Sequence, residues 1–436
     1  MVSLRRAGTG YTELAECMMM ERTQIDKQTL TIDGVCYTAD DARPSGQDLS
    51  RLQTAFYKQY GKESFQASLA DFLAEWFSAS EQVLVHTSGS TGTPKPMWVE
   101  KQRMMASACL TCSFLGLQEN DTALLCMPLK YIAGKMVVVR ALVYGLNLIV
   151  SPPSGHPLAN LSASPVFAAM IPMQVFNSLQ NLHEQTLLKE IKHLIIGGGA
   201  VDAEVEKQLQ AFPHAVWSTY GMTETLSHIA LRRLNGPSAS EWYTPFDNVK
   251  IRLSEEQTLV IHAPHVHAGE LVTNDIAEMS EAGQFRILGR KDNTINSGGV
   301  KIQIEQVEKL LHPSLPVPFL ITSAPDNKFG ERVVLLVEST TTAFPDAQLE
   351  TIMQQVLPPY WRPKQIIHVA ELPRTGTGKP DRATARKIAA GQCCPKRFSI
   401  KTKKGSKAKV ERTTLAKRIT SFTSYGKYNT FRTSNR

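Results

Sequence analysis

Long apolar stretches are absent from this 436-residue sequence. The nearest candidate, residues 136–150, is interrupted by Arg140 and falls short of the roughly 20 residues that a membrane-spanning helix needs. The opening residues carry Arg5 and Arg6, but no apolar segment follows, so the core of a secretory signal is missing. Cysteine is scarce as well: seven residues, scattered along the chain, make no disulfide framework. These absences predict a cytoplasmic protein without a membrane span. The pair Cys109 and Cys112 recurs with Met105 and Leu115 at helical spacing, and no second Cys/His pair supplies further ligands. It is therefore read as one face of a helix and not as a metal site. Acidic residues almost vanish from the C-terminal stretch 393–436, where thirteen Lys/Arg face Glu411 alone. That stretch carries +12 against a whole-chain net charge of +8, which leaves −4 for residues 1–392. With few aliphatics it cannot bury enough surface to order itself, so it is predicted to be a disordered basic tail. Such a tail could bind nucleic acid through phosphates, but a solvated or foreign segment is the preferred reading, and no nucleic-acid partner is expected.

What is present begins with Thr87-Ser88-Gly89-Ser90-Thr91-Gly92-Thr93-Pro94-Lys95, which directly follows the strand-like Val83-Leu84-Val85. Glycines let backbone N–H groups approach an anion, the hydroxyls add donors, and Lys95 supplies a compact positive charge. A Walker loop is excluded, because counting from Gly89 puts Pro94 where its second glycine must fall. Residues 48–78 show helical periodicity, and residues 29–37 read as one strand. After the loop, strands and helices alternate to about residue 196, which indicates an α/β sheet with crossover helices. A second glycine turn, Gly197-Gly198-Gly199-Ala200, follows a strand and lets backbone approach a flat ligand. The next strand empties into Thr219-Tyr220-Gly221-Met222-Thr223-Glu224-Thr225. There Tyr220 offers a ring for stacking on a base, Thr223 a donor for phosphate, and Glu224 an oxygen ligand suited to Mg²⁺. Three shorter strands follow, with Asp275 closing the third, where its carboxylate can accept ribose hydroxyls or cap a turn. The polar turn Gly289-Arg290-Lys291-Asp292-Asn293 reads as a domain boundary. Beyond it lie the Ser297-Gly298-Gly299 turn and the glycine-rich loop that ends in Lys379.

Taken together these segments resemble the adenylate-forming superfamily of acyl-CoA synthetases, peptide-synthetase adenylation domains and luciferases. Five matches occur in that family's order: residues 87–95, residues 220–225, Asp275, residues 289–308 and residues 375–379. The resemblance implies a large N-terminal α/β domain over residues 1–290, a smaller mobile C-terminal α+β domain over residues 291–392, and the tail from 393. It implies an ATP-dependent, AMP-forming acid–thiol ligase that uses ATP, Mg²⁺ and coenzyme A. Lys379, Thr223 and Glu224 would be catalytic, with Glu224 on the metal, and Thr87, Ser88, Gly89, Ser90, Thr91, Gly92 and Lys95 would hold phosphates. Tyr220 and the Gly197 to Ala200 turn, with Gly198, Gly199 and Ala200, would hold adenine, Thr219 and Gly221 would also bind the nucleotide, and Asp275 and Arg290 would hold the ribose. Asp292 would be the hinge, and Gly298 and Gly299 would meet the pantetheine arm of coenzyme A. Within the superfamily the motifs look most like the o-succinylbenzoate–CoA ligase branch of menaquinone biosynthesis. That branch implies an aromatic dicarboxylate, whose second charge Lys130 and Lys135 are the candidates to meet. Another carboxylate–CoA ligase, a free-standing adenylation enzyme and a non-catalytic nucleotide-binding protein are the alternatives. The sequence departs from the family in three places. The phosphate loop lies nearer the start of the chain, so part of the N-terminal subdomain is expected to be missing. Leu271-Val272-Thr273-Asn274-Asp275 replaces the aromatic-x-Thr-Gly-Asp motif, and Lys130-Tyr131 stands beside the expected acyl pocket.

Overall fold

The computed structural model describes residues 23–46, 48–86, 95–315, 317–338, 344–375 and 379–392. The phosphate-loop residues Thr87, Ser88, Gly89, Ser90, Thr91 and Gly92, and the basic tail, lie outside the described residues. The chain opens with β1 (Thr29–Ile32) and β2 (Val35–Thr38), where a single strand was expected. The break falls at Asp33-Gly34, both at positive φ (47° and 85°), the backbone that a two-residue hairpin turn requires. Helices Arg51–Tyr60 and Phe65–Trp76 follow, each opened by a serine that accepts a backbone N–H at its N-cap. The hairpin β3 (Gln82–His86) and β4 (Pro96–Glu100) stands at the two ends of the phosphate loop, in the register His86 opposite Pro96.

Alternating elements then build the main sheet: helix Lys101–Leu115, β5 (Thr122–Leu125), helix Ile132–Tyr144, β6 (Asn147–Val150), β7 (Phe167–Met170), helices Pro172–Leu179 and Leu182–Glu190, and β8 (His193–Ile196). Helix Ala203–Leu209, β9 (Ala215–Gly221), β10 (His228–Arg233) and the short β11 (Thr244–Pro245) complete it. The nine strands run in the order β11-β10-β9-β8-β7-β5-β6-β1-β2, parallel from β9 through to β1 and antiparallel at both edges. The central parallel strands are apolar on both faces (Leu124, Ala168 and Leu194 on one, Leu125, Ala169 and Ile195 on the other), as strands covered by crossover helices must be.

A separate antiparallel sheet follows, built from β12 (Lys250–Leu253), β13 (Thr258–His262), β14 (Glu270–Met279) and β15 (Phe285–Arg290). Asp275 does not close its strand. It lies mid-way along β14, opposite Arg290, where the register shifts between Ile276 and Ala277. Such an irregularity aims a side chain without ending the strand.

From β16 (Thr294–Ser297) and β17 (Val300–Gln303) the chain forms a smaller α+β unit with helix Ile304–Leu311, β18 (Phe319–Asp326), β19 (Gly330–Glu338), helix Asp346–Val356, β20 (Gln365–Val369) and helix Arg382–Ala389. Its apolar cores lie on the two faces of this sheet: Ile321, Val333 and Leu335 on one side, Leu320, Val334 and Leu336 on the other. One large core, from Leu30 to Phe285, serves everything before it. The chain therefore has a large N-terminal α/β part and a smaller α+β part after it.

Candidate active site

Beyond the strand ends of the main sheet, toward β14, opens a cavity of about 1300 Å³. The open ends of parallel strands are where α/β sheets bind ligands, because loops there are free of the ladder. Lys95, Gly198, Thr219, Gly221, Thr223, Glu224, Asp275, Arg290 and Lys379 all line it, although nearly 300 residues separate the first from the last.

The turn between β9 and β10 is built tightly. The Thr225 hydroxyl accepts from the Met222 N–H at 3.0 Å and donates to the Ser227 carbonyl at 2.7 Å. A β-carbon on Gly221 would lie 2.2 Å from that carbonyl oxygen, so only glycine fits. Leu226 takes φ 64° to return the chain, and Thr223 and Glu224 are left at the cavity wall. Among the described residues the Glu224 carboxylate, half-buried, has no hydrogen-bond or ion-pair partner. No group of three or more His, Cys, Asp or Glu able to hold a metal occurs among the described residues. A magnesium ion fits here as it does at phosphate sites, held by one carboxylate together with phosphate oxygens.

Asp275 and Arg290 face each other across β14 and β15, with Nη1 donating to Oδ1 at 3.1 Å. Arg290 also grips Asp292 with two bonds, at 2.9 and 3.2 Å, and the Asp292 carbonyl accepts from Arg386 at 2.6 Å. Asp292 is thus tied to both parts of the chain and lies off the cavity wall. Lys379 lines the cavity, and its carbonyl accepts from the Thr375 N–H at 2.8 Å. Burial, and then the neighbouring Arg290 charge, hold its pKa below the ordinary lysine value, while Asp275 pulls the other way.

Other expected residues stand elsewhere. Gly199 and Ala200 follow Gly198 but do not line the cavity. Gly298 and Gly299, at φ 60° and 83°, form the tip of the β16–β17 hairpin against Phe329, also off the wall. The Tyr220 ring is buried away from the cavity. The two lysines require correction. Lys130 is exposed and off the cavity wall. Lys135 is buried on the far side of its helix, where its ammonium donates to Glu75 at 2.6 Å and lies 4.5 Å over the Phe72 ring. A lysine whose charge is already paired below the surface has nothing to offer a substrate.

The cation of this helix that lines the cavity is Arg140, which the sequence reading noticed only as an interruption of an apolar run. It is 2% exposed, donates to Ser227 Oγ at 2.7 Å and Thr111 Oγ1 at 3.3 Å, and its Nε has no partner. Burial lowers its pKa to about 10, so it is charged at neutral pH. Beside it His228 bonds Thr111 Oγ1 at 3.1 Å, and burial followed by the Arg140 charge pushes that imidazole's pKa well down. The neutral ring adds no charge of its own beside Arg140. An arginine amid Met136 to Val143 was the available signal, since a charge in a buried helix costs too much to be idle.

Comparison with known proteins agrees with this geometry. The AMP-binding enzyme family model matches residues 78–278. The structure of an AMP-forming acyl-CoA synthetase/AMP-acid ligase II-like protein from Dyadobacter fermentans is 34% identical, covering 74% of this chain and 94% of that one, with a TM-score of 0.51. The chain belongs to the AMP-binding enzyme family. It is an AMP-forming ligase whose nucleotide is ATP. A 2-succinylbenzoate–CoA ligase from Listeria monocytogenes is 24% identical over 381 residues, 82% of this chain and 77% of the relative. The o-succinylbenzoate CoA synthetase of Bacillus subtilis, solved with its acyl-adenylate, is 18% identical and shares the fold at a TM-score of 0.63 over 84% of this chain and 97% of that one.

Proposed function

We propose that this family member is an acid–CoA ligase whose acid is o-succinylbenzoate or a close aromatic dicarboxylate. The observation that carries the reading is Arg140: a guanidinium buried on the cavity wall, hydrogen-bonded to hydroxyls and, among the described residues, without a carboxylate partner. A pocket for a fatty or simple aromatic acid gains nothing from such a charge, whereas a substrate with a second carboxylate needs it. The similarity to 2-succinylbenzoate–CoA ligases supports the same substrate.

In the first half-reaction the reacting carboxylate attacks the α-phosphorus of ATP and pyrophosphate leaves. Negative charge gathers on the phosphoryl oxygens, and Lys379 and Lys95 are placed to offset it, with Thr223 as a donor. When bound, Mg²⁺ adds charge neutralisation, and Glu224 is the residue to hold it. Asp275 and Arg290 would meet the ribose. In the second half-reaction the coenzyme A thiol attacks the acyl carbonyl and AMP leaves. We further propose that residues from 291 onward turn about Asp292 between the two steps, which withdraws Lys379 and brings Gly298 and Gly299 to the thiol's path. The test is a panel of acids assayed for pyrophosphate exchange and for CoA-thioester formation. o-Succinylbenzoate should give the highest kcat/KM, and a preference for fatty or benzoic acids would reject the substrate assignment while leaving the ligase chemistry in place.

A further inference from the structure

Three segments of the cavity wall, far apart in the chain, meet at one side chain. Gln174, in the first turn of helix Pro172–Leu179, is 3% exposed and itself lines the cavity. Its Nε2 donates to the Cys126 carbonyl at 3.2 Å and to the Ser154 carbonyl at 3.0 Å, and its Oε1 accepts from the Ile171 N–H at 3.2 Å. The reversed amide would set its oxygen against two carbonyls and its NH₂ against an N–H, so these partners fix its orientation. Cys126 and Ile171 are the first residues past β5 and β7, Ser154 belongs to the loop after β6, and all three line the cavity.

That loop, residues 151–158, contains Pro152, Pro153 and Pro157, which have no N–H to give a sheet ladder. Side chains of the two helices after β7 anchor it instead. Besides Gln174, Asn177 Nδ2 donates to the Gly155 carbonyl at 3.1 Å, and the fully buried Glu184 accepts from the Leu158 N–H at 3.4 Å and lies 2.6 Å from His156 Nδ1. A β-carbon on Gly155 would come 2.7 Å from Asn177 Nδ2, so loop and helix are pressed together. In the sheet β6 stands four places from β9, whose following turn carries Thr223 and Glu224, which is roughly 19 Å at the usual strand spacing.

We propose that Pro153, Ser154 and Gly155 form the wall that bounds the acid, and that Gln174 is the positioning residue that sets this wall. Both amide hydrogens are spent on carbonyls, so Gln174 acts on the substrate through the three segments it joins and not by gripping it. The inference rests on the acid–CoA ligase reading, in which the ATP phosphates take the Thr223 and Glu224 end of the cavity and leave the opposite end to the acid.

The test is steady-state CoA-thioester formation by the parent, Gln174→Met and Gly155→Ala, with the acid varied at saturating ATP and ATP varied at saturating acid. The acid is o-succinylbenzoate or, if the parent prefers another member of the panel, that acid, so the substrate assignment can fail without deciding this inference. Methionine keeps the length of the side chain and deletes all three hydrogen bonds. Alanine at 155 pushes the loop off Asn177 and leaves Gln174 intact. Both variants should raise KM for the acid about fivefold to tenfold, with kcat and KM for ATP within about twofold of the parent. A residue serving stability alone would lower the melting temperature and leave the ratio of the two KM values unmoved. A folded Gln174→Met that keeps the parent's KM for the acid overturns the role, and if that variant fails to fold, an unchanged KM in Gly155→Ala overturns it. A rise in KM for ATP in place of the acid would put the nucleotide against this wall and overturn the proposal as well.

Discussion

Replacing Arg140 by methionine separates stability from function. The guanidinium sits 2% exposed with an unpartnered Nε, and its pKa is pushed down to about 10 because burial disfavours the charged form. That depression corresponds to a cost of roughly 3 kcal/mol carried by the folded protein. The sign follows from linkage: for a base with a lowered pKa the cost is fully present at neutral pH and is relieved only as pH rises through about 10. Methionine removes the cost and keeps much of the volume, but it forfeits the bonds to Ser227 and Thr111, each worth about 1.5–3 kcal/mol with a charged donor. The two cancel at the lower end of that range and leave a net loss of about 3 kcal/mol at the upper end, so Arg140→Met should melt between the parent's temperature and roughly 10 °C below it. The substrate tells a different story. A second carboxylate held by Arg140 would lose that cation, at a penalty of about 2–4 kcal/mol. kcat/KM for o-succinylbenzoate should fall roughly 30- to 1000-fold by the same conversion, and a mono-carboxylate analogue should lose less than about threefold. Thermal melts in the absence of substrate and steady-state CoA-thioester assays decide it. Equal loss for both acids, or a collapse of the melting temperature with both activities, would refute the reasoning.

Lys379→Ala should lower adenylation by about 10²- to 10³-fold while sparing thioester formation from supplied acyl-adenylate, as measured by the two half-reactions separately. Because burial and Arg290 hold the Lys379 pKa down, adenylation should decline on the alkaline side earlier than an ordinary lysine would allow, and Lys379→Arg should move that limb upward in a pH–rate profile. Lys135→Met should leave kcat/KM for the acid within about twofold, yet cost about 2–4 kcal/mol in urea unfolding, because Glu75 loses its buried partner. Gly221→Ala should cost about 2–4 kcal/mol and abolish exchange activity, since the new β-carbon meets the Ser227 carbonyl and no rotamer relieves it.

Residue order alone pointed to the loops that are proposed to carry the chemistry. Glycine turns after apolar strands, a Thr-Glu pair, a lysine ending a glycine-rich loop and a polar break near 290 each owe their meaning to local backbone and side-chain properties. They can be read without knowing what packs around them, and the α/β pattern with its two unequal parts follows from periodicity in the same way. The tertiary structure decided what each side chain has left to offer a ligand. Lys135 and Arg140 share one helix, and five residues at 3.6 per turn set them about 140° apart. Only the packing of helix Phe65–Trp76, which brings Glu75 to Lys135, turns the lysine inward and leaves the arginine to face the cavity. Tyr220 is the same case on a strand: alternation admits either face, and the sheet containing Phe285 and Asp275 fixes which one. Asp33-Gly34 carries a local turn signal that the reading of residues 29–37 as one strand passed over, whereas the irregularity near Asp275 depends on pairing with β15, a partner that no local pattern specifies. Local chemistry is written in neighbouring residues, but a buried charge or ring takes its role from the groups that reach it across the fold.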